Sequence, residues 1–404
     1  MKTLPFLREN ANWLGAGALL TFLSSFGQTY FISLFSAEIR SEFGLSDGDW
    51  GAIYGMGTLA SATVMVWAGG LADKFRTRQL GFAVLGGLSC ACLIMALNPY
   101  PTILIFSVFL LRFFGQGMAS HTAVVAMSRW FDATRGRALA VCGLGFTFAE
   151  ALFPILCVSL LVFIDWRLIW GGACLIALLG IPLLTALLKT ERHPMQTSEL
   201  MQNTGMLGKH WTRQNVLRNP LFWLMIPALL GPSAFNTAFF FHQVHFADIK
   251  GWSHLTLVAA FPIYTASAVL AMLISGRALD RFGTARLLPF YQVPMVFAFI
   301  VFSAADSFGM FTFGLVLLAI TSGANATLPN AFWAEFYGTQ HLGAIKSMAT
   351  AIMVLGSAIG PILTGVLIDR HVELESQYFW VGMFFGMTTI LMWIGIWIYR
   401  DLRK

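Results

Sequence analysis

The chain contains twelve apolar stretches, each long enough to cross the hydrocarbon core of a bilayer, which needs about 20 residues per helix. Because lipid offers the backbone no hydrogen-bond partner, each stretch is predicted to be a helix. Hydrophobic residues make up 57% of the chain and charged residues 11%, which excludes a soluble, disordered or disulfide-stapled protein. The stretches, called span one to span twelve in chain order, lie approximately at 13–37, 50–72, 79–97, 102–127, 137–163, 167–188, 219–246, 255–278, 286–304, 308–333, 343–367 and 377–399.

The distribution of positive charge predicts which ends of the spans face the cytoplasm. Twenty of the 25 Lys and Arg residues lie in the two termini and in the loops on one side. Apart from Arg112 within span four, the other side holds only Arg40, Arg167, Lys250 and Arg370. The positive-inside rule therefore places both termini in the cytoplasm, which agrees with an even number of spans. The same placement accounts for the net charge of +6 without a nucleic-acid partner.

A long polar stretch, Lys189 to Asn219, divides the chain into two halves of six spans each. We expect a six-helix bundle over 1–188, a cytoplasmic linker over 189–218 and a second six-helix bundle over 219–404. The linker contains a short amphipathic piece over 206–217 and is expected to lie on the membrane surface as a tether. The predicted fold class is an all-α polytopic membrane protein with twelve transmembrane helices in two pseudo-symmetric bundles.

A short motif follows span two and recurs after span eight. Residues 69–78 read GGLADKFRTR, and residues 276–286 read GRALDRFGTAR. In both copies a glycine is followed four residues later by an aspartate, Asp73 or Asp280, and then by a base and a phenylalanine. A motif repeated about half a chain apart indicates duplicated halves, a design known among transporters.

This repeated motif resembles the cytoplasmic loop signature of the major facilitator superfamily, G-x-L-x-D-R-x-G-x-R-R. The resemblance covers the whole chain and implies the major facilitator fold. It also implies that Asp73 contacts a helix end and, with Arg78, helps to hold one conformation. The first copy has Arg76 where the family usually has glycine, so we expect this loop to turn differently. The residues assigned to these loop contacts are Asp73, Arg78, Asp280, Arg281 and Arg286.

Looser patterns point to one branch of that superfamily. Residues 111–117, LRFFGQG, are similar to its span-four signature, and residues 128–138 and 241–253 resemble the bacterial monocarboxylate-transporter-like branch. The resemblance implies a bacterial inner-membrane protein that moves small organic acids, often with protons. The glycine-rich motif that drug–proton antiporters carry in span five is not present. Span eight lacks the arginine usual in monocarboxylate carriers, which leaves Arg112 as the deep anion ligand.

One base and one acid, Arg112 in span four and Glu150 in span five, lie deep within the predicted spans. An ionisable residue at bilayer depth costs ~2.5–3.5 kcal/mol and is a functional candidate. At about 1.5 Å per residue the two lie at depths that differ by roughly 5 Å. We expect them to pair or to share a water network. The pair is either an anion site coupled to a proton or a structural salt bridge.

Polar residues in other spans are further candidates for the binding site. The resemblance implies that spans one, four, seven and ten line the transport cavity. In span one, Gln28 is predicted to share a helical face with Ser24 and Ser25. In span ten, Asn325 either lines the cavity or bonds to another helix. The predicted substrate-binding residues are Arg112, Gln28, Asn236, Gln116 and Asn325.

These features predict a monomeric secondary transporter that imports a small organic anion, with protons, as a symporter. Arg112 would hold the carboxylate and Glu150 would carry the proton. The sequence contains no catalytic triad, phosphate-binding loop or cysteine–histidine cluster, so no enzyme, cofactor or metal is expected. The expected partners are the substrate, protons and the lipid bilayer. The alternatives are a proton-driven exporter of a hydrophobic or cationic compound and a non-transporting sensor, which should carry a large soluble output domain.

Overall fold

The computed structural model describes residues 3–131, 134–190, 204–338 and 341–399, and nearly all of them are helical. Within these ranges eleven helices are long and apolar enough to cross a membrane. Span one consists of two helices, Ala11–Gly27 and Thr29–Phe43, bent by 46°, and brings the number to twelve. The predicted all-α architecture is therefore confirmed. Spans two to twelve are Asp47–Ala68, Thr77–Ala96, Pro101–Trp130, Arg137–Leu161, Trp166–Leu187, Pro220–Phe241, His254–Leu279, Thr284–Ser303, Phe308–Tyr337, Met348–Asp369 and Leu374–Tyr399.

Side-chain caps define the first residue of several spans. At span two, Ser46 Oγ accepts from the Asp49 backbone N–H at 3.0 Å, and Asp49 Oδ2 accepts from the Ser46 N–H at 3.1 Å. This reciprocal capping box satisfies two backbone donors that a helix start leaves open. Single caps of the same kind begin spans six, seven, eight and ten at Asp165, Asn219, Ser253 and Ser307.

The chain forms two compact units. The first comprises Met1–Ser198 together with Phe240–Val244, and the second comprises Glu199–Phe239 together with His245–Lys404. The bounds expected for the two bundles and the linker, 1–188, 189–218 and 219–404, remain predictions.

In the first unit, spans one and five pack with their backbones almost in contact. A Cβ added at Gly145 would lie 1.9 Å from the Ala18 carbonyl oxygen, so only glycine permits this approach. Towards the end of span one, the buried rings of Phe31 and Phe35 lie 5.1 and 5.3 Å from the Trp170 ring. Aromatic packing of this kind supplies much of the buried apolar surface of a core.

The second unit has its own aromatic core, in which the Phe239 and Phe302 rings stack with centroids 4.5 Å apart. The later part of the linker joins this unit. Met206 and Val216 are fully buried in a cluster that also contains Trp333 and Tyr337. Leu207 and Leu217 of the same segment are 54% and 40% exposed, so the segment packs on this unit with part of its apolar face, and its place on the membrane surface stays a prediction.

The two copies of the repeated loop turn differently, as expected. Arg76 has ordinary extended torsion angles, φ −66° and ψ 141°, immediately before span three begins. Gly283 has φ +75° and ψ 163°, a conformation that side chains rarely adopt. The second copy therefore requires its glycine, whereas the first copy accommodates an arginine at the matching place.

Candidate functional site

Spans one, four, seven and ten each depart from regular α-helix at the predicted site residues. Span one changes to a 3-10 turn over Ser24–Gly27 and then extends at Gln28, φ −84° and ψ 152°. The helical face predicted for Gln28, Ser24 and Ser25 is therefore wrong. Span four contains a π-helical segment, Arg112–Ala119, and span seven contains another, Pro232–Asn236. In span ten one helix ends at Asn325 and the next begins at Leu328.

Such irregular backbone is uncommon within a bilayer, and π segments occur frequently at functional sites. Irregular backbone leaves some N–H and C=O groups outside the regular helical hydrogen-bond pattern. Broken spans of this kind surround the binding sites of several transporter folds. Each predicted binding residue, among them Gln116 within the span-four π segment, lies within or beside one of these four irregularities.

In the first unit, the break in span one lies directly against the π segment of span four. A Cβ added at Gly27 would lie 2.0 Å from the Leu111 carbonyl oxygen, and one added at Gly115 would lie 2.7 Å from the Gly27 backbone. Glycines at both positions permit this close contact. It brings the side chain of Arg112 alongside the break.

Arg112 is only 2% exposed, and within the described ranges its polar contacts are all to neutral groups. Its Nη1 donates to the Gly27 carbonyl oxygen and to Thr29 Oγ1, both at 3.3 Å. Its Nε is buried and has no hydrogen-bond acceptor. The guanidinium carbon lies 5.4 Å from the centre of the Tyr54 ring, and the Tyr54 hydroxyl is 2.5 Å from Thr29 Oγ1. Among the described residues, this buried cation thus has two long hydrogen bonds, both from Nη1, and its Nε donor is unused.

The expected ion pair between Arg112 and Glu150 does not form. Within the part of the chain that the structure describes, no carboxylate lies within 4.0 Å of the Arg112 guanidinium. Depth alone does not make two residues neighbours, because the direction of a side chain around its helix also matters. Arg112 points at the break in span one. A water network shared by the two residues stays a prediction.

Glu150 lies instead close enough to the Tyr30 hydroxyl to interact with it electrostatically. The Tyr30 hydroxyl lies near Ser25 Oγ, but their geometry falls short of a hydrogen bond and both oxygens are buried without a partner. Pro154, one turn after Glu150, interrupts the backbone hydrogen bonding of span five. The half-buried acid therefore lies within electrostatic range of one buried hydroxyl, that of Tyr30.

Thr29 and Tyr54 are the site residues that sequence reasoning did not select. Tyr54 is a lone tyrosine in an apolar span, and such a residue more often serves packing. Thr29 is one of several polar residues in span one, and nothing in the sequence distinguishes it from the others. The run of small and polar residues from Ser24 to Thr29 was the available signal, since such residues compete with helical hydrogen bonding.

The segment Phe240–Val244 packs next to this cluster within the first unit. The Phe241 ring lies 4.6 Å from the Tyr54 ring, and Gln243 Nε2 donates to Ser33 Oγ at 2.9 Å. His242 Nδ1 lies 3.5 Å from Asp47 Oδ1, which also accepts from Arg40 at 2.5 Å. Tyr54 therefore contacts both the Arg112 guanidinium and this segment.

In the second unit, Asn236 ends the π segment of span seven, and its Oδ1 is buried without a hydrogen-bond partner. A Cβ added at Gly360 would lie 2.0 Å from the Ala234 carbonyl oxygen, so span eleven packs closely on this segment. Asn325 is half-buried at the break in span ten. Among the described residues, the side chain of Asn325 forms no hydrogen bond. Both amides thus have unused hydrogen-bonding capacity.

The sequence profile of the Major Facilitator Superfamily matches residues 17–290 and 257–404, which together cover nearly the whole chain. The chain belongs to the major facilitator superfamily. By sequence, no curated protein matches it.

Solved structures of other major facilitator proteins share the fold at low sequence identity. A bacterial homolog of the human lysosomal transporter Spinster, inward-facing and unoccupied, matches with a TM-score of 0.69 and 16% identity over 98% of this chain and 97% of that one. Its inward-facing, occupied form gives 0.66 and 16% over 96% of each. A mutant of the nucleoside transporter NupG gives 0.71 and 14% over 97% of this chain and all of that one. These relatives are transporters rather than enzymes.

The major facilitator loop signature is only partly described by the structure. The side chains of Asp73 and Asp280 lie outside the described residues. The side chains of Arg78, Arg281 and Arg286 are exposed.

Two contacts that sequence reasoning missed anchor these loops. Arg129 donates to the Ala72 carbonyl oxygen at 2.9 Å beside the first copy. Thr284 Oγ1, fully buried, donates to Glu335 at 2.5 Å beside the second. The first loop copy therefore accepts a hydrogen bond from a neighbouring helix, and the second donates one to a neighbouring helix.

Proposed function

We propose that this major facilitator protein is a proton-coupled importer of a small, monocarboxylate-like organic anion. It would act as a symporter in the bacterial inner membrane, with both termini in the cytoplasm, by alternating access. The observation that supports this most is the buried guanidinium of Arg112, which has a spare donor and no carboxylate partner among the described residues.

A buried cation without a counter-ion is costly, so a ligand that supplies a negative charge gains binding energy there. The planar fork of an arginine matches the two oxygens of a carboxylate and can donate two parallel hydrogen bonds. Thr29 and Tyr54 fix the position of the guanidinium from one side. A substrate carboxylate would engage its remaining donors, including Nε.

Two amide side chains of the first unit, Gln28 and Gln116, would recognise the rest of the substrate. Asn236 and Asn325 of the second unit stay predicted binding residues. Within the described residues, none of these side chains forms a hydrogen bond. An amide both donates and accepts, so it suits a hydroxyl or keto group next to a carboxylate. Their places at helix irregularities support this role.

Glu150 would carry the coupled proton. The buried hydroxyl of Tyr30, which interacts electrostatically with Glu150, and the Ser25 hydroxyl near Tyr30 would hold or pass this proton. Binding of an anion at Arg112 lowers the positive charge of the first unit and so favours protonation of an acid in the same unit. Substrate binding and protonation would thus be coupled through the electrostatic effect of the bound anion, without a direct Arg112–Glu150 salt bridge.

A second candidate function is proton-driven export of a hydrophobic or cationic compound. The aromatic rings of Phe22, Phe26 and Phe31 pack around Phe153, less than one turn from Glu150, with centroid distances of 5.0 to 5.6 Å. An acid beside aromatic faces suits a cation. In this function Glu150 would be the counter-charge and Arg112 would have no ligand.

Uptake by the purified, reconstituted protein tests the proposal. Proteoliposomes are given labelled lactate, pyruvate or benzoate with and without an inward proton gradient. We expect at least one acid to accumulate only with the gradient, and the Arg112→Gln protein to lose this uptake. Failure of all three acids, together with proton-driven expulsion of a cationic dye, would establish the export function instead.

A further inference from the structure

A basic cavity of about 950 Å³ opens in the first unit, at the side predicted to be cytoplasmic. Its walls are the loop after span two, the first turn of span three, the last part of span four and the end of span six. None of the predicted substrate-binding residues contributes to it. The cavity is therefore separate from the cluster around Arg112.

Five bases and no described acid line this cavity. The lining bases are Lys74, Arg76, Arg78, Arg129 and Lys189. In the described part of the chain, Lys74, Arg76 and Lys189 form no ion pair. Like charges gathered in one cavity repel one another, and an anion that enters relieves this repulsion.

The positive end of span three adds to the attraction for an anion. The first three residues of this 20-residue helix, Thr77 to Gln79, line the cavity. Arg76 occupies the N-cap position, and its guanidinium has no acceptor for the backbone N–H groups of the first turn. A helix N-terminus of this kind favours a phosphate group.

Apolar rings form part of the cavity wall. Phe75 and Phe82 are 52% and 57% exposed and lie beside the cluster of bases. Deeper in the cavity wall, Thr122 is 2% exposed, and its hydroxyl has no hydrogen-bond partner. A ligand that fits must combine an anionic group with hydrocarbon and offer a polar atom to Thr122.

We propose that this cavity binds the phosphate headgroup of an anionic phospholipid from the cytoplasmic leaflet. The phosphate contacts the bases and the start of span three, while the acyl chains lie along Phe75 and Phe82. Basic cavities between helices on the cytoplasmic side are suited to such headgroups, because that leaflet carries the anionic lipids. A free phosphate compound shares the anionic chemistry but does not use the exposed rings.

Binding of short-chain lipids to the purified full-length protein tests this proposal. Dioctanoyl phosphatidylglycerol is titrated into the protein in a neutral detergent, with dioctanoyl phosphatidylcholine and glycerol 1-phosphate as comparison ligands. We expect one saturable site for phosphatidylglycerol and binding at least tenfold weaker for each comparison ligand. Equal binding of glycerol 1-phosphate would assign the cavity to free anions and overturn the lipid proposal, as would the absence of saturable binding.

The double variant Arg76→Gln with Lys189→Gln locates the site. Its matched control is Arg213→Gln with Arg218→Gln, which removes the same charge from exposed linker positions outside the cavity. We expect the cavity variant to bind phosphatidylglycerol at least tenfold more weakly and the control to bind as the wild type does. Both should unfold at the wild-type temperature without lipid. An equal loss in both variants would show attraction to the whole basic surface and overturn the proposal.

Discussion

At the scale of single residues, the hydroxyl of Thr29 links the Arg112 guanidinium to Tyr54. Thr29→Val keeps the shape but removes both hydrogen bonds. A hydrogen bond to a charged group contributes about 1.5–3 kcal/mol, so we expect substrate affinity to fall about tenfold or more. The measurement is the concentration dependence of uptake.

Thr63→Val is the matched control for this change. Thr63 is exposed, and among the residues that the structure describes its hydroxyl bonds only to the Leu59 carbonyl oxygen of its own helix. Wild-type uptake by the Thr29 variant, or an equal defect in the Thr63 variant, would remove Thr29 from the site.

The proton role of Glu150 is also a residue-scale prediction. Glu150→Gln mimics the protonated acid, so we expect substrate exchange between preloaded vesicles to continue. Accumulation driven by a pH gradient should disappear because the side chain can no longer release a proton. Asp306→Asn, at a carboxylate that is 94% exposed, is the control for loss of one negative charge. A Glu150 variant that still accumulates substrate would refute the coupling role.

At the scale of elements, the close contact of span one with span four makes a sharp prediction about Gly27. A methyl group at Gly27 would lie 2.0 Å from the Leu111 carbonyl oxygen, whereas one at Gly15, in the same span, would meet a leucine side chain at 3.8 Å. Overpacking costs typically about 1–3 kcal/mol, so Gly27→Ala should lower the unfolding temperature and reduce uptake. Gly15→Ala should leave both unchanged. Equal behaviour of the two variants would contradict the observed contact.

The elements themselves could be predicted from sequence, but their irregularities could not. Runs of apolar residues identify spans because lipid demands helices. The π segment at Arg112 and the break at Gln28 depend on which spans touch, and a single sequence does not show this. The same limit explains the wrong pairing of Arg112 with Glu150. Counting residues gives depth, but the direction of each side chain depends on tertiary contacts.

The predicted binding residues are polar side chains in apolar spans. Such side chains are costly at bilayer depth, so they indicate a functional role. Gln28, Asn236 and Asn325 could be predicted in this way, and all three lie at breaks or π segments. Tyr54 could not, because an aromatic residue in a span is usually explained by packing. The polar linker was expected to be a surface tether, although Met206 and Val216 are core residues.

At the scale of the whole molecule, the distribution of Lys and Arg predicts the orientation in the membrane. A reporter that is active only in the cytoplasm, fused after Lys404, should be active. The same reporter fused after residue 164, in a loop predicted to lie outside, should be inactive. The reverse pattern would invert the predicted topology, and activity at both places would contradict the number of spans.

Equilibrium binding shows whether Arg112 holds the substrate carboxylate. The acid that the uptake panel selects is titrated into wild-type, Arg112→Lys and Arg112→Gln proteins, with its amide as the uncharged analogue and Arg213→Lys as the control. We expect wild type to bind the acid and not the amide. Arg112→Lys should bind about tenfold more weakly because it loses the planar fork, and Arg112→Gln should not bind measurably. A folded Arg112→Gln protein that binds the acid as tightly as wild type would contradict the claim.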